Sequence, residues 1–248
     1  FGDLGGQVFR VDIDQDGDKA MAVHRLADFG GNGADNRRFY EAPAITYVKQ
    51  GFNEVLYVAI GSGYRAHPKD KDTEEAFFVF RDENAFSNPS APDSVLSTGD
   101  LSEISRTGTE AADTSKPGWF YKLSILDGEK ALSSPSVING IVRFSTYSPV
   151  ASTNPDNICA VSLGTSFIHT ISLIDGSPVT NNDGTVADRS EQLKQQTLPP
   201  TPVLLTNEDG EVKVVVGTEV VGDDTLGNMG LRKTRWYQAS PDTAAPGP

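Results

Sequence analysis

The residues best placed to do chemistry form an acidic turn near the start of the chain, Asp12-Ile-Asp14-Gln-Asp16-Gly-Asp18. Alternating aspartates in a turn direct several carboxylates at one point, which suits a hard cation such as Ca²⁺ with oxygen ligands at about 2.3–2.6 Å. The pattern Asp-x-Asp-x-Asp-Gly opens an EF-hand-like loop, but its ninth and twelfth positions are apolar, so the usual bidentate glutamate is missing. Two interpretations stay open: a calcium site with these four aspartates as ligands, or an acidic hairpin turn.

The other reactive side chains do not form a pattern typical of catalysis. His24, His67 and His169 lie in different segments without the spacing of metal ligands. The single cysteine, Cys159, has no histidine close to it in sequence, and no Gly-x-Ser-x-Gly motif is present. A triad of residues distant in sequence stays open, but we expect a protein that is not an enzyme. His169 lies in an aromatic strand-like segment and is expected to be a half-buried packing residue.

Surface contact is the other chemistry that the sequence offers. The polar loops 61–75 and 82–116 are the expected partner-contact segments, because loops vary and a rigid scaffold displays them. Tyr64, Phe86 and Tyr147 are candidate exposed contact points, since aromatic side chains supply binding area at low entropic cost. Trp119 and Trp236 are expected to anchor the packing of strands. The glycines of segment 30–36 are expected to form turns, because no strand–helix phosphate cradle follows them.

Composition limits the classes of partner. The chain has 248 residues and a formal net charge of -13, which argues against a nucleic-acid ligand because phosphate binding needs a dense basic field. The acidic balance fits a soluble, secreted or surface protein and supplies carboxylates for hard cations. No apolar run reaches the roughly 18 residues needed to span a bilayer. With one cysteine, the chain cannot form an internal disulfide.

The elements that must position these residues are strands. Short segments rich in Val, Ile, Phe and Tyr recur between Gly, Asn, Asp and Pro, and long amphipathic helical patterns are nearly absent, which predicts an all-β fold. Asp16-Gly17, Asn139-Gly140 and Asp209-Gly210 are predicted hairpin turns. A short helix is predicted at 190–196. The predicted strands are 7–13, 21–26, 44–48, 54–60, 76–81, 118–125, 136–138, 141–147, 166–173, 202–205, 212–218 and 233–238.

A loose repeat runs through these strands. Aromatic alternating segments at 6–12, 77–82, 119–123 and 166–172 are separated by Val-rich segments that often end in glycine. This alternation is typical of propeller blades of about 40–50 residues, so the chain is predicted to hold about four to five blades. Each blade would bury its faces against its neighbours, which explains why the strands are short.

An ordered series of motifs resembles the PilC/PilY family of type IV pilus proteins. Residues 2–10 are similar to its Gly-Asp-Leu-Gly-Gly-x-aromatic-Arg corner, and 57–63 with 77–82 to its Gly-Thr-Gly and aromatic Arg-Asp strands. Residues 117–123 resemble its Gly-Trp-Tyr-x-x-Leu signature, and 128–146 its Gly-Glu-Arg-Val blade. Cys159 and the following Gly-Thr-Ser resemble another family position, and the segment from Arg235 to Gln238 resembles its final Ser-Trp-Arg strand.

The resemblance implies a fold and a function. It implies a quinoprotein-like β-propeller over 1–238, with upstream blades missing and a tail at 239–248. It further implies an exported, non-enzymatic protein of the pilus tip or outer membrane, active in pilus assembly, adhesion and twitching motility. Minor pilins, other tip proteins and host or surface receptors are the implied partners. The family's calcium loop lies ahead of the glycine corner and is not carried over to this chain.

Two other functions stay open on the same fold. A quinoprotein dehydrogenase would hold pyrroloquinoline quinone in a complete propeller, with a metal and several polar anchors. The length of the chain and its two tryptophans speak against that alternative. The third possibility is a propeller that binds sugar or matrix through its loops.

Overall fold

The fold is all-β, as predicted from the strand pattern. The computed structural model describes residues 1–13, 21–50, 53–86, 92, 94–106, 109–150, 163–179, 188–206 and 212–221. Within these ranges the helical elements are two short 3₁₀ turns, Gly33–Asp35 and Thr98–Asp100. The predicted strand 233–238 and the predicted tail 239–248 lie outside the described residues, as do Cys159 and Trp236. None of the helices in the described ranges has the length and apolar character of a membrane span.

The described strands form four sheets that follow one another along the chain. The first sheet pairs β1 (Gln7–Asp12) with β2 (Ala22–Asp28). The strands of the second sheet are β3 (Ala44–Gln50), β4 (Asn53–Gly61), β5 (Ala76–Asp82), β6 (Ser102–Ile104) and β7 (Gly118–Lys122). Their order in the sheet is β3-β4-β5-β7-β6, with antiparallel pairs except for the parallel pair of β6 and β7.

The third and fourth sheets are antiparallel throughout. Their strands are β8 (Lys130–Ala131), β9 (Ser136–Ile138), β10 (Ile141–Ser148), β11 (Thr165–Ser172), β12 (Ser190–Gln192), β13 (Val203–Thr206), β14 (Val212–Val216) and β15 (Glu219–Val221). In the third sheet, β10 lies between β11 and the two short strands β8 and β9, and β12 pairs with β11. The fourth sheet has the order β13-β14-β15.

The second sheet is buried on both faces because β5 is apolar at consecutive positions. Successive side chains of a strand point to opposite faces, so Phe77 and Phe78 enter different cores. Phe78 joins a cluster with Phe29 and other side chains of the first sheet and its flanking loop. Phe77 joins a cluster that includes Phe144 of the third sheet. An apolar run of this kind is expected for a strand covered on both sides.

The third sheet is likewise covered on two faces. Its Ile168 packs with Val214, Val216 and Val221 of the fourth sheet, all of them buried. The four sheets therefore pack face to face in the order in which they occur in the chain. Burial of one such Phe, Ile or Val side chain contributes about 1.5–3 kcal/mol to stability.

Two turns show why specific residues stand in them. Asn139 and Gly140 both have positive φ, 53° and 73°, which fits the predicted two-residue hairpin between β9 and β10.

In the glycine corner, Asp3 Oδ1 accepts hydrogen bonds from the backbone amides of Gly5 (2.9 Å) and Gln7 (2.8 Å). Gly30 packs directly on this corner, and a Cβ added there would lie 1.9 Å from the carbonyl oxygen of Gly5. The close approach of two backbones requires glycine.

Two sequence predictions are corrected by the strand pairing. The helix predicted at 190–196 is wrong: Ser190–Gln192 is β12, which pairs with β11, and no helix follows in 193–196. Loop 82–116 does not simply cross the surface, because it contains β6 and buries Leu101 and Ile104. Pairing with a longer neighbouring strand overrides the local preference in both places.

Candidate functional site

The predicted acidic turn is described only at its first aspartate. Asp12 accepts hydrogen bonds from Arg10 Nε (2.8 Å) and Nη2 (3.0 Å), and His24 Nε2 lies 3.3 Å from its Oδ2. Arg10 also donates to Asp82 of β5 at 2.6 Å, which links the first and second sheets. A cation bound by Asp12 would therefore compete with an arginine that is already in place.

The remaining predicted ligands, Asp14, Asp16 and Asp18, lie outside the described residues. Among the residues that the structure does describe, no group of three or more His, Cys, Asp or Glu side chains could hold a metal ion.

Lys130, the first residue of β8, anchors the predicted contact loop 61–75 through hydrogen bonds. Lys130 Nζ donates to the carbonyl oxygens of Pro68 (3.2 Å), Asp70 (2.7 Å) and Gly128 (2.6 Å). The residue is 1% exposed, and burial lowers the pKa of its ammonium. Buried ammonium groups need this kind of full hydrogen bonding. The middle of the loop is thereby fixed to the third sheet.

Two arginines fix the outer part of the same loop. Arg65 Nη1 donates to the carbonyl oxygen of Leu132 at 3.0 Å and forms an ion pair with Glu41. The guanidinium of Arg38 lies 3.8 Å from the centre of the Tyr64 ring, a cation–π contact. Tyr64 in turn contacts His67, with ring centres 4.7 Å apart. These contacts fix the shape of a segment that we call the display loop, residues 64–72.

The candidate contact aromatics have different environments. Phe86 is exposed and makes an edge contact with Tyr47 on β3, with ring centres 5.4 Å apart. Tyr64 is half-buried beneath Arg38. Tyr147 was expected at the surface, and that expectation is wrong: it is buried, and its hydroxyl donates to the carbonyl oxygen of Leu163 at 2.6 Å.

A cavity of about 530 Å³ opens beside the display loop. Thr73, Glu75 and Leu123 are buried parts of its wall, and the rim includes exposed charged residues. Glu75 is 1% exposed; its Oε1 accepts a hydrogen bond from the Tyr64 amide at 3.0 Å, and its Oε2 has no hydrogen-bond partner. Burial raises the pKa of Glu75 to about 7 and outweighs the nearby groups that favour ionisation.

A second buried polar group lies between the second and third sheets. His169 Nε2 is 3.1 Å from Glu129 Oε1 and 3.0 Å from Thr146 Oγ1, and Thr146 donates to Glu129 at 2.6 Å. His169 stacks on Phe144 with ring centres 4.6 Å apart. The histidine is fully buried and hydrogen-bonded, so its prediction as a half-buried packing residue is corrected. With His169 and Glu129 side chains 0% exposed, the cluster stabilises the core and offers no access to a substrate.

The tryptophan that the structure describes has the expected role. Trp119 is 1% exposed, and its Nε1 donates to the carbonyl oxygen of Leu173 at 3.0 Å, joining the second sheet to the end of β11. Sequence reasoning missed Glu75, Glu129 and Lys130 as buried groups. The residues on either side of these positions in the sequence do not distinguish them from exposed charged residues.

Comparison with known proteins shows that a solved multi-sheet β domain has a similar fold. No protein-family model matches the chain, and no curated protein matches it. A solved structure, the PilY1 C-terminal domain of Pseudomonas aeruginosa, matches with a TM-score of 0.61 at 15% sequence identity. The match covers 88% of this chain and 55% of that chain. The chain thus shares a fold with the PilY1 domain and spans about half of its length.

Proposed function

We propose that this chain is part of an exported, pilus-associated protein that acts through protein–protein contacts and not as an enzyme. The observation that carries the proposal is the fold similarity to the PilY1 C-terminal domain over 88% of the chain. The ordered motifs from the glycine corner to the aromatic strands resemble the same family, and they were identified from sequence alone. Fold and motifs therefore support one assignment from separate observations.

The proposal includes a β-propeller with about four to five blades in this chain. It is supported by the packing of four described sheets in chain order, each on the next. Sheets arranged in this way bury both faces of the inner blades, as β5 does. A rigid stack of blades presents its connecting loops at fixed positions, which suits a protein that binds other proteins.

The display loop is the proposed contact surface. Arg38, Arg65 and Lys130 hold it in one shape, so little conformational entropy remains to be lost on binding. The proposed partners are minor pilins or other pilus-tip proteins, with host or surface receptors as further partners. The proposed location is the cell surface, at the pilus tip or the outer membrane.

Calcium modulation is a separate part of the proposal. Asp12, Asp14, Asp16 and Asp18 would supply carboxylate oxygens to one Ca²⁺ ion. The ion pair between Asp12 and Arg10 lowers the expected affinity, because Asp12 would have to exchange one cation for another.

A binding experiment with purified components tests the contact surface. The chain is immobilised and offered each purified minor pilin of the same organism. We expect at least one to bind, and the double substitution Tyr64→Ala with His67→Ala to reduce its retention. Tyr47→Ala, an exposed tyrosine on β3 outside the loop, is the matched control. Retention of no minor pilin, or equal retention by the loop variant, would contradict the proposed surface.

A further inference from the structure

The second and third sheets share one plan, in which three strands adjacent in sequence are joined by a fourth from later in the chain. The second sheet contains β3, β4 and β5, and the third contains β9, β10 and β11, each antiparallel to the strand before it. A later strand then pairs antiparallel with the third strand of the trio: β7 with β5, and β12 with β11. In both sheets this fourth strand covers the edge of the third.

The fourth sheet contains the first three strands of this plan. β13, β14 and β15 are successive antiparallel strands. Within the described part of the chain, no strand pairs with the outer edge of β15. A free edge presents unpaired backbone N–H and C=O groups, which are a template for pairing with another strand. The plan of the other two sheets therefore indicates a fourth strand at this edge.

The hairpin of β14 and β15 shows which backbone groups of β15 lie at the free edge. The two-residue turn 217–218 closes on the opposed pair Val216 and Glu219, which is the hydrogen-bonded pair of such a hairpin. Hydrogen-bonded and non-hydrogen-bonded pairs alternate along an antiparallel ladder, so Val220 directs its N–H and C=O away from β14. The Val220 amide therefore reports whether another strand pairs with β15.

The side chains next to this edge leave an apolar surface uncovered on one face of the sheet. Val220 is 60% exposed and stands opposite Val215, which in turn stands opposite Val203, itself 52% exposed. On the other face, Val214 and Val221 are buried against the third sheet. A strand beside β15 would complete both faces if it carried apolar side chains on each of them.

We propose that residues 233–238 form the fourth strand of this sheet and pair antiparallel with the outer edge of β15. Residues 222–232 would make the connection, and they include three glycines. This connection is shorter than segment 83–117, which precedes β7, and segment 173–189, which precedes β12. The segment that follows β15 thus takes the same place as the segments that follow β5 and β11.

Two adjacent aromatic residues suit the segment to this place. Trp236 and Tyr237 would point to opposite faces of the sheet, because side chains alternate along a strand. In either register, one ring extends the buried cluster around Val221 and the other covers the exposed face around Val220. The edge of β15 is then closed to a strand of another protein or of a second copy. This pairing is independent of what the protein binds.

NMR of the whole chain, labelled with ¹⁵N, tests the pairing at one amide. We expect the Val220 amide to exchange its hydrogen at least about 100-fold more slowly than an unprotected amide. Its proton should give a nuclear Overhauser effect to a backbone proton of residues 233–238. Exchange at the unprotected rate, or a nuclear Overhauser effect to a different segment, would overturn the proposal. Protection that disappears on dilution would do the same, because it would show a second copy at this edge.

A pair of prolines assigns the protection to the segment. Thr234→Pro with Arg235→Pro removes two consecutive amides, one of which faces β15 in either register. Exchange at Val220 should become at least about 10-fold faster, while the Val214 amide on the central strand stays protected. Unchanged exchange at Val220 would contradict the pairing. If the Val214 amide also loses its protection, the sheet itself has opened, and the nuclear Overhauser effect in the parent chain decides.

The matched control places the same two prolines further along the chain. Ala244→Pro with Ala245→Pro lies outside the proposed strand and should leave exchange at Val220 unchanged. An equal acceleration in both variants would show that the effect is not specific to residues 233–238 and would count against the proposed strand.

Discussion

The ring of Phe77 on β5 lies parallel to the ring of Phe144 on β10, with ring centres 3.7 Å apart and planes 2° from parallel. Phe78, the next residue, stacks in the same way on Phe29 of the preceding layer, at 4.2 Å and 2°. One dipeptide therefore joins three consecutive layers of the molecule. This arrangement explains how short strands, each with little stability of its own, form a rigid stack.

Replacing either member of the first pair should weaken the whole stack. Phe77→Ala and Phe144→Ala are each expected to lower the free energy of unfolding by about 3–5 kcal/mol, because each leaves a cavity in a fully buried core. The double variant should show a coupling of about 0.5–1.5 kcal/mol from the stacked rings. Urea unfolding measures these values. Phe86→Ala, which removes an exposed ring, should lower the free energy of unfolding far less. A loss as large as that of Phe77→Ala would contradict the layered core.

The contact between Gly30 and the glycine corner gives a second prediction. Gly30→Ala should lower stability by about 1–3 kcal/mol, because the new methyl group would collide with the backbone of Gly5. Gly99→Ala is the matched control, since a Cβ there meets no atom closer than 3.7 Å. Thermal unfolding of the two variants checks the difference. Equal transition temperatures would show that the corner does not pack on Gly30.

Lys130 should control the order of the display loop. Lys130→Met removes the donor from three carbonyl oxygens and should cost at least about 2 kcal/mol. Amide hydrogen exchange should become faster in the display loop, residues 64–72, which loses its attachment to the third sheet. Lys49→Met, at an exposed position of β3, should leave exchange in the loop unchanged. Slow exchange that persists in Lys130→Met would contradict the anchoring role.

The raised pKa of Glu75 predicts a pH-dependent contribution to stability. Its folded-state pKa of about 7 lies above the ordinary value of 4.5, so the folded protein holds a proton that the unfolded chain releases. The contribution is fully present below about pH 4.5 and is lost as pH rises through about 7. Glu75→Gln should therefore gain up to about 3 kcal/mol over the parent chain at pH 8 and almost nothing at pH 4.5.

Denaturant unfolding at several pH values measures this difference. Glu83→Gln, which removes an exposed acid, is the control and should not show the gain at pH 8 that Glu75→Gln shows. A constant difference for Glu75→Gln across the range would contradict the burial of an incompletely paired carboxyl group.

The four aspartates of the acidic turn give a prediction about calcium. Calorimetric titration of the chain with Ca²⁺ should show one site, lost in Asp14→Ala and Asp16→Ala. Asp28→Ala, which removes an aspartate of β2, should retain it. If the parent chain gives no heat of binding, the turn is only a hairpin connection and the proposed calcium site is wrong.

The long strands were predictable from sequence because their alternation and aromatic content persist over five or more residues. The short strands β6, β8 and β15 were not, since they acquire their conformation from the neighbours with which they pair, whereas the three-residue strand β9 was predicted with its observed bounds. Ser190–Gln192 was mistaken for a helix because its Glu and Gln residues favour helices locally, while pairing with β11 decides the outcome. Hairpin turns, by contrast, depend on two adjacent residues and were recognised at Asn139 and Gly140.

The candidate site was predicted only in outline. The length and polar composition of loop 61–75 predict a contact segment, and the structure adds the three basic side chains, Lys130, Arg65 and Arg38, that fix its shape. Lys130 and Glu75 could not be identified from sequence, because each is buried by contacts with segments far away in the chain. Charged residues are usually exposed, so a sequence gives no sign of the few that a fold encloses.

Deletion of the gene in its native organism, followed by electron microscopy of surface pili, tests the central claim most directly. The account predicts that pili are lost or greatly reduced, that twitching motility falls with them, and that the intact gene restores both. Normal numbers of pili together with normal adhesion and motility in the deletion strain would contradict the pilus assignment.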